Sequence, residues 1–518
     1  MIRIACDRLC RLLCVSLILA CAACASLPTD FVKIRSEAYP TPQQTALGKV
    51  VAASLPAAEQ SGFRLLPTGS FAFDTRVALA RRAERTLDLQ YYLFHDDEAG
   101  RALGREVLAA ALRGVRVRVL LDDIATQGQD EMLAQLSAHP NLEVRVFNPF
   151  AGGRRSLWTR VLSAAGDASR VNHRMHNKLY VADNAMAITG GRNIGNEYFM
   201  QGSASNFIDL DVLAVGAIVP QMSAVFDQFW NSAYAYPVTA FARFKLDDQP
   251  LRERADPIRP SLPVDTRDPL GHASIESEIA AGKLALAWAS ASVIADSPDK
   301  VAGVTEASLD DTASHVMLRL MDGARSQVLV ISPYFVPGKI GMVAMRRLAA
   351  RGVRMVVLTN SLAANDSPLV HLGYARYRRE MVELGVHLYE LGATRAQKRG
   401  QLGLFGSSRA SLHAKVVAID QRQLFIGSLN LDARSARTNT EMGLLIDSPA
   451  LAAELLTLLK ADGDESAYQL RLSARTGALE WVAHDDGVEI IYSSEPEVNA
   501  LFSFGLWLIA PFAPEQLL

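Results

Sequence analysis

Arg174-Met175-His176-Asn177-Lys178-Leu179-Tyr180-Val181-Ala182-Asp183 decides the fold, together with Gly190-Gly191-Arg192-Asn193 a few residues on. The same pattern returns as His413-Ala414-Lys415-Val416-Val417-Ala418-Ile419-Asp420 and Gly427-Ser428-Leu429-Asn430. Working outward, Arg113-Gly114-Val115-Arg116-Val117 recurs as Arg351-Gly352-Val353-Arg354-Met355, and Leu89-Gln90-Tyr91-Tyr92-Leu93 as Ile331-Ser332-Pro333-Tyr334-Phe335. Three matches at nearly constant spacing mark a tandem duplication of one large unit, far longer than a solenoid repeat.

Each unit alternates strand and helix. Leu87–Phe94, Val115–Leu121, Val328–Val336 and Val353–Leu358 read as strands, and 99–113 and 340–351 as helices ended by Arg-Gly. Short connections imply right-handed crossovers and a mainly parallel sheet covered by helices. The units occupy 50–245 and 281–497, with a proline-rich, charged linker at 246–280 and an apolar segment at 498–518.

The motif spacing has a geometric reading. His and Lys two apart on a strand share a face. The apolar run after Lys178 ends at the turn signal Asp183-Asn184, and Ala185–Thr189 returns. A turn made by the two residues after the aspartate sets His176 opposite Asn193 and Lys178 opposite Gly191. The same count sets His413 opposite Asn430 and Lys415 opposite Ser428. Each hairpin then presents His, Lys and Asn together. Asp183 and Asp420 read either as members of the catalytic set or as turn formers. Lysine is a poor metal ligand and the carboxylates sit in turns, so no metal and no cofactor is expected.

These residue types suit phosphoryl chemistry. Ammonium and amide donors match anionic phosphodiester oxygens. One imidazole can attack phosphorus while the other protonates the leaving oxygen, and then activates water or an alcohol. The double motif resembles that of the phospholipase D superfamily. The resemblance covers nearly the whole chain after residue 50. It implies two α/β/α lobes about a pseudo-twofold axis, one active site at their interface, a phosphohistidine intermediate and no metal. By the family pattern His176 is the nucleophile and His413 the acid/base, an order that the sequence alone leaves open.

Further stretches are similar to bacterial cardiolipin synthases of the C type: Leu87–Tyr92, Leu120–Asp123, Phe147–Phe150, Thr359–Asp366 and Asn439-Thr440-Glu441-Met442-Gly443. This resemblance implies phosphatidyl transfer onto phosphatidylglycerol, with phosphatidylethanolamine as donor. Gly191, Ser428 and Glu441 are the expected substrate contacts. A hydrolytic phospholipase D shares every catalytic residue. A nucleic-acid phosphodiesterase is disfavoured by the net charge of -2, because nucleic-acid binders carry a basic footprint. The expected partners are phospholipids and a membrane surface, with no nucleic acid and no obligate protein partner.

All five cysteines lie within the first 24 residues, so no disulfide and no thiolate-bound zinc supports the body. Arg3, Arg8 and Arg11 precede an apolar run from Leu12 to Ala23, the form of an export signal over 1–23. Ala22-Ala23-Cys24-Ala25-Ser26 resembles a lipobox, which makes Cys24 the expected lipid attachment at the periplasmic side of a bacterial envelope. Cleavage after Ala25 and an uncleaved anchor are the alternatives. Two inserts before the motifs are expected to rest on the bilayer through Arg154, Arg155 and Trp158 in the first and Phe405 in the second, with Trp507 near the C-terminus.

Overall fold

The computed structural model describes residues 26–57, 60–154, 159–160, 167–241, 268–303, 310–395, 409–485, 487–499, 505–506 and 508. The expected signal at 1–23, Cys24, Arg155, Trp158, Phe405, Trp507 and most of the 246–280 and 498–518 segments lie outside these residues.

The first lobe contains β1 (Ser61–Leu66), β2 (Thr86–Tyr91), β3 (Arg116–Asp122), β4 (Leu142–Phe147), β5 (Arg174–Met175), β6 (Leu179–Ala182), β7 (Met186–Gly190), β8 (Ser205–Ile208), β9 (Asp211–Gly216) and β10 (Ala235–Pro237). The second contains β11 (Ala287–Ala295), β12 (Gln327–Ile331), β13 (Arg354–Asn360), β14 (His387–Leu391), β15 (Arg409–Leu412), β16 (Val416–Ile419), β17 (Gln423–Gly427), β18 (Asn439–Thr440), β19 (Met442–Asp447), β20 (Ala467–Leu472), β21 (Leu479–Asp485) and β22 (Val488–Tyr492).

The main strands pair in the order β10-β4-β3-β2-β6-β7-β9-β1 in the first lobe. In the second the order is β11-β19-β17-β16-β12-β13-β14-β20-β21-β22. Among these main strands of the described residues, only β2-β3-β4 and β12-β13-β14 are parallel. The expectation of a mainly parallel sheet is therefore corrected. The sheets are mixed, because each motif hairpin and its return strand pair antiparallel beside the crossover units. Strand β11 spans both lobes, pairing with β1 through Ala287–Ala289 and with β19 through Ser290–Ala295. Among the described residues each strand of this continuous order pairs with at most two others, which leaves β10 and β22 at its ends.

The helices Glu98–Leu112 and Gly338–Ala350 follow β2 and β12 and end as the Arg-Gly signal requires, Gly114 and Gly352 adopting φ of 98° and 72°. A central core joins the lobes: Phe63, Met222, Phe226 and Trp230 pack in one cluster with Leu329, Ile331, Leu451 and Leu455. Each such side chain contributes about 1.5–3 kcal/mol of burial, so the lobe interface is itself a hydrophobic core.

The first lobe reaches further in both directions than 50–245. Trp230 Nε1 donates to Ser36 Oγ at 3.0 Å and Arg118 to the Ser36 carbonyl at 2.9 Å, strapping the N-terminal segment to the lobe. Helix Ile275–Ala281, within the expected linker, returns to it through Glu278, 2.7 Å from buried Arg64. The helix also buries Ile275 and Ile279 in the first-lobe core, and Phe31 packs 5.2 Å from Tyr236; both segments are too short to carry a clear hydrophobic period of their own.

Candidate active site

Two short parallel pairings assemble the site. Strand β5 pairs with β18 of the opposite lobe, and β8 with β15. His176 follows β5 and Glu441 follows β18; Asp209 follows β8 and His413 follows β15. The His176 amide donates to the Thr440 carbonyl at 2.9 Å, and the His413 amide to that of Ile208 at 2.7 Å. Each histidine thus meets a carboxylate from the other lobe, an isologous arrangement about the pseudo-twofold axis.

Nδ1 of His176 lies 2.9 Å and 3.1 Å from the Glu441 oxygens and 3.1 Å from the Ser428 carbonyl. Nδ1 of His413 lies 2.6 Å from Asp209. Acceptors at Nδ1 place the proton there and leave Nε2 as the reactive nitrogen. Glu441 also accepts from Ser428 Oγ at 2.5 Å and Ser435 Oγ at 2.7 Å. Asp209 was not anticipated. The repeat hides it, because the carboxylate stands five residues further from its motif histidine in the first lobe than in the second and Asp replaces Glu.

Lys178 donates to the His176 carbonyl at 2.7 Å. Lys415 donates to that of His413, and its ammonium lies 2.9 Å from His413 Nδ1. Burial lowers Lys178 to about 7, helped by Lys415, and lowers Lys415 to about 8. Burial also brings His176 down to about 4, Glu441 opposing it, and lowers His413. Burial alone would raise the two carboxyls. His413 and Lys415 more than reverse this at Asp209, holding it at about 2, and His176 and Lys178 lower Glu441. Anionic carboxylates therefore hold neutral imidazoles beside lysines that gain charge when an anion arrives.

Aromatic rings wall the histidines. Tyr92 lies 5.1 Å from His176; Tyr198 and Phe207 lie 5.2 and 5.0 Å from His413. Asn193 accepts from the Leu93 amide at 3.2 Å and donates to Tyr198 at 3.0 Å, so it positions that ring. Buried Asn430 has an Oδ1 with no partner among the described residues, an open acceptor.

The expected hairpin register is corrected by one residue. Ala182 pairs with Met186 and Ile419 with Gln423, which sets Lys178 level with Gly190 and Lys415 with Gly427. Asp183, Asn184, Asp420 and Gln421 all take left-handed φ of 52–55°, so each turn holds three residues. A one-residue slip reverses facing. Residues 176–178 and 191–193 lie beyond the regular ladder of β6 and β7, and Asn193 reaches the site through Tyr198, which packs on His413.

Asp183 and Asp420 stand at the far end of the hairpins, about 23 Å of extended chain from the histidines. Asp183 Oδ1 accepts from the amides of Glu84, Arg85 and Thr86 at 3.1, 2.7 and 3.0 Å. Asp420 does the same for Arg325, Ser326 and Gln327. The turn reading is the one their geometry supports, and the catalytic reading is corrected accordingly. Gly191 makes room for a carboxylate: a Cβ there would stand 2.0 Å from Asp209 Oδ1. Arg154 is also corrected as a membrane contact. Its guanidinium is largely buried and engages Asp123 at 2.8 Å and Asp130 at 2.6 Å. Among the described residues, His95, Asp97 and Glu197 are the one group of metal-ligand types close together. The Asp97 oxygens already accept from the Gly100 and Asn196 amides, so the trio is a poor metal cage.

Two duplicated α/β lobes exchanging carboxylates onto paired histidines define an enzyme of the phospholipase D superfamily. The family model described as "Cardiolipin synthase, PLD-like domain" matches residues 77–230 and 317–462. Cardiolipin synthase C of Escherichia coli is 40% identical over 451 residues, covering 85% of this chain and 92% of that protein. Cardiolipin synthase A of Pseudomonas fluorescens is 27% identical, over 79% and 70% of the respective chains. The crystal structure of phosphatidylserine synthase from Haemophilus influenzae shares the fold, with a TM-score of 0.56 at 16% identity over 90% of this chain and 96% of that one. The chain belongs to the cardiolipin synthase family of phospholipase D-like enzymes, and is a phosphatidyltransferase of that type.

Proposed function

We propose that this enzyme makes cardiolipin by moving a phosphatidyl group from a donor phospholipid, phosphatidylethanolamine in the first instance, to a glycerol hydroxyl of phosphatidylglycerol. The observation that carries this reading is the reciprocal pair His176–Glu441 and His413–Asp209, two oriented imidazoles in one buried site. Nε2 of one imidazole attacks phosphorus. The P–N bond forms as the P–O bond to the headgroup breaks, and the departing oxygen takes the Nε2 proton of the other imidazole, which has become an imidazolium, steadied by its carboxylate, as the anionic phosphodiester binds. That second imidazole then removes the acceptor's hydroxyl proton, the new P–O bond forms, and P–N cleavage restores the first. Lys178 and Lys415 supply positive charge against what builds on the phosphoryl oxygens.

The same reading places the protein on a membrane, exported and attached through Cys24. Among the described residues no helix is long and apolar enough to cross a bilayer. Full-length protein in vesicles of labelled phosphatidylglycerol, with and without phosphatidylethanolamine, tests the proposal. Cardiolipin formation that rises with phosphatidylethanolamine and disappears in His176→Ala and His413→Ala is expected. Phosphatidic acid as the sole product would make the enzyme a hydrolase.

A further inference from the structure

The two ends of the site carry opposite charges at equivalent positions. Ile194 and Leu431 occupy matching bridges, to Phe94 and Phe335, which fixes the register of the two halves beyond the motif asparagines. Counting on three residues from each brings Glu197 into correspondence with Arg434. Each lies toward the other lobe's histidine. Glu197 precedes Tyr198, whose ring packs 5.2 Å from His413. Arg434 donates to the side chain and carbonyl of Asn172 at 3.1 and 3.2 Å, four residues before His176.

The surroundings reinforce the contrast. On the His413 side, Tyr334 donates to exposed Asp366 at 2.7 Å, and Tyr198 and Phe207 pack 4.9 Å apart. His413 itself is seated beside that loop, since Asn360 exchanges two hydrogen bonds with the Leu412 backbone, at 2.8 and 2.9 Å. Carboxylates set among aromatic rings are the recognition chemistry of an organic ammonium. On the His176 side the ring is Tyr92; Arg174 there is buried and paired with Asp122, which leaves Arg434, held against Asn172, as the cation of that end. His95, 3.2 Å from Glu197, and His413 hold the Glu197 carboxyl below its ordinary range although burial pushes the other way.

We propose that Glu197 and Arg434 break the symmetry of the site electrostatically, so that a donor with an ammonium headgroup binds in one orientation, its amino alcohol toward His413. This rests on the phosphatidyltransferase reading above and deepens it. His413 then protonates the departing amino alcohol, and His176 takes the phosphatidyl group. The acceptor enters the vacated end by its neutral glycerol hydroxyl, its own phosphate lying at the far end of the glycerol.

The test compares phosphatidylethanolamine with phosphatidylethanol, a donor of similar headgroup size without the ammonium, at fixed phosphatidylglycerol. Glu197→Gln should reduce the ratio of kcat/KM for the two donors roughly three- to tenfold, as loss of one partly exposed charge contact implies. The exchange Glu197→Arg with Arg434→Glu should move the acid-quenched phosphatidyl adduct, mapped by mass spectrometry, from His176 toward His413. An unchanged donor ratio in Glu197→Gln, or an adduct that stays on His176 in the exchanged protein, overturns the inference. Absence of phosphatidyl transfer from every donor in the unmodified enzyme would instead refute the phosphatidyltransferase reading.

Discussion

Glu441 of the second lobe lies 2.9 Å from Nδ1 of His176 in the first, and is fully buried there. The carboxylate fixes both the tautomer and the direction of Nε2, so it acts through the imidazole as a positioning residue. Glu441→Gln keeps shape and hydrogen-bonding capacity but removes the charge that stabilises an imidazolium. Turnover should fall about a hundredfold or more, with KM little changed. Steady-state kinetics beside a circular-dichroism melt check this, and partial recovery in Glu441→Asp separates positioning from folding damage. The interlobe exchange also means that neither lobe holds a complete site.

A second expectation concerns anion binding and pH. Lys178, at about 7, and Lys415, at about 8, lie below the ordinary lysine value of 10.5. An incoming oxyanion favours the ammonium forms, so binding takes up protons once pH exceeds these values. Inhibition by tungstate, an oxyanion mimic, should be strongest below pH 7 and weaken as pH rises toward 9. Calorimetry at pH 8 in two buffers of different ionisation enthalpy would read the uptake directly. Proton release, or a pH-independent inhibition constant, contradicts it.

The turn carboxylates predict a different phenotype. Asp183 gathers the amides of Glu84, Arg85 and Thr86 at the start of β2. Removing it leaves several backbone donors without their partner, and Asp183→Ala should destabilise the protein by about 2–4 kcal/mol. Asp183→Asn retains an acceptor oxygen and should be milder. Turnover per folded molecule at low temperature should change little in either variant. Chemical denaturation paired with activity measurements distinguishes this from a catalytic lesion, in which activity falls without loss of stability.

Much of this was legible in the sequence, for a physical reason. Duplication supplies two independent readings of each motif, so His176 with Lys178 and His413 with Lys415 stand out in the sequence, while their sharing of one site is what the family resemblance implies. What escaped was set by long-range geometry. Hairpin register depended on Asp183 and Asp420 joining the turns in left-handed backbone, which the spacing of the motif does not announce. Glu441 was visible as a site residue, but its role against His176 required the β5–β18 pairing across lobes. Asp209 carries no motif of its own. Arg154, beside other arginines in a loop, reads as a surface cation; only the fold reveals Asp123 and Asp130 beneath it.

The same long-range logic assigns Gly191 a purpose that its neighbours in sequence do not. At the equivalent position the second lobe has Ser428, whose hydroxyl donates to Glu441 at 2.5 Å. In the first lobe a methyl group at residue 191 would stand 2.0 Å from one Asp209 oxygen and 2.7 Å from its carboxyl carbon. Asp209 cannot retreat freely, since it is 3% exposed and its Oδ1 also accepts from the Leu210 amide at 2.8 Å. Gly191→Ala should therefore displace the carboxylate from His413 and lower turnover by roughly tenfold to a hundredfold, at a modest stability loss of about 1–3 kcal/mol for overpacking. The position of the fault is diagnostic. If the damage runs through Asp209, adding Gly191→Ala to Asp209→Asn should cost little further activity, a non-additivity that a double-mutant cycle reads directly.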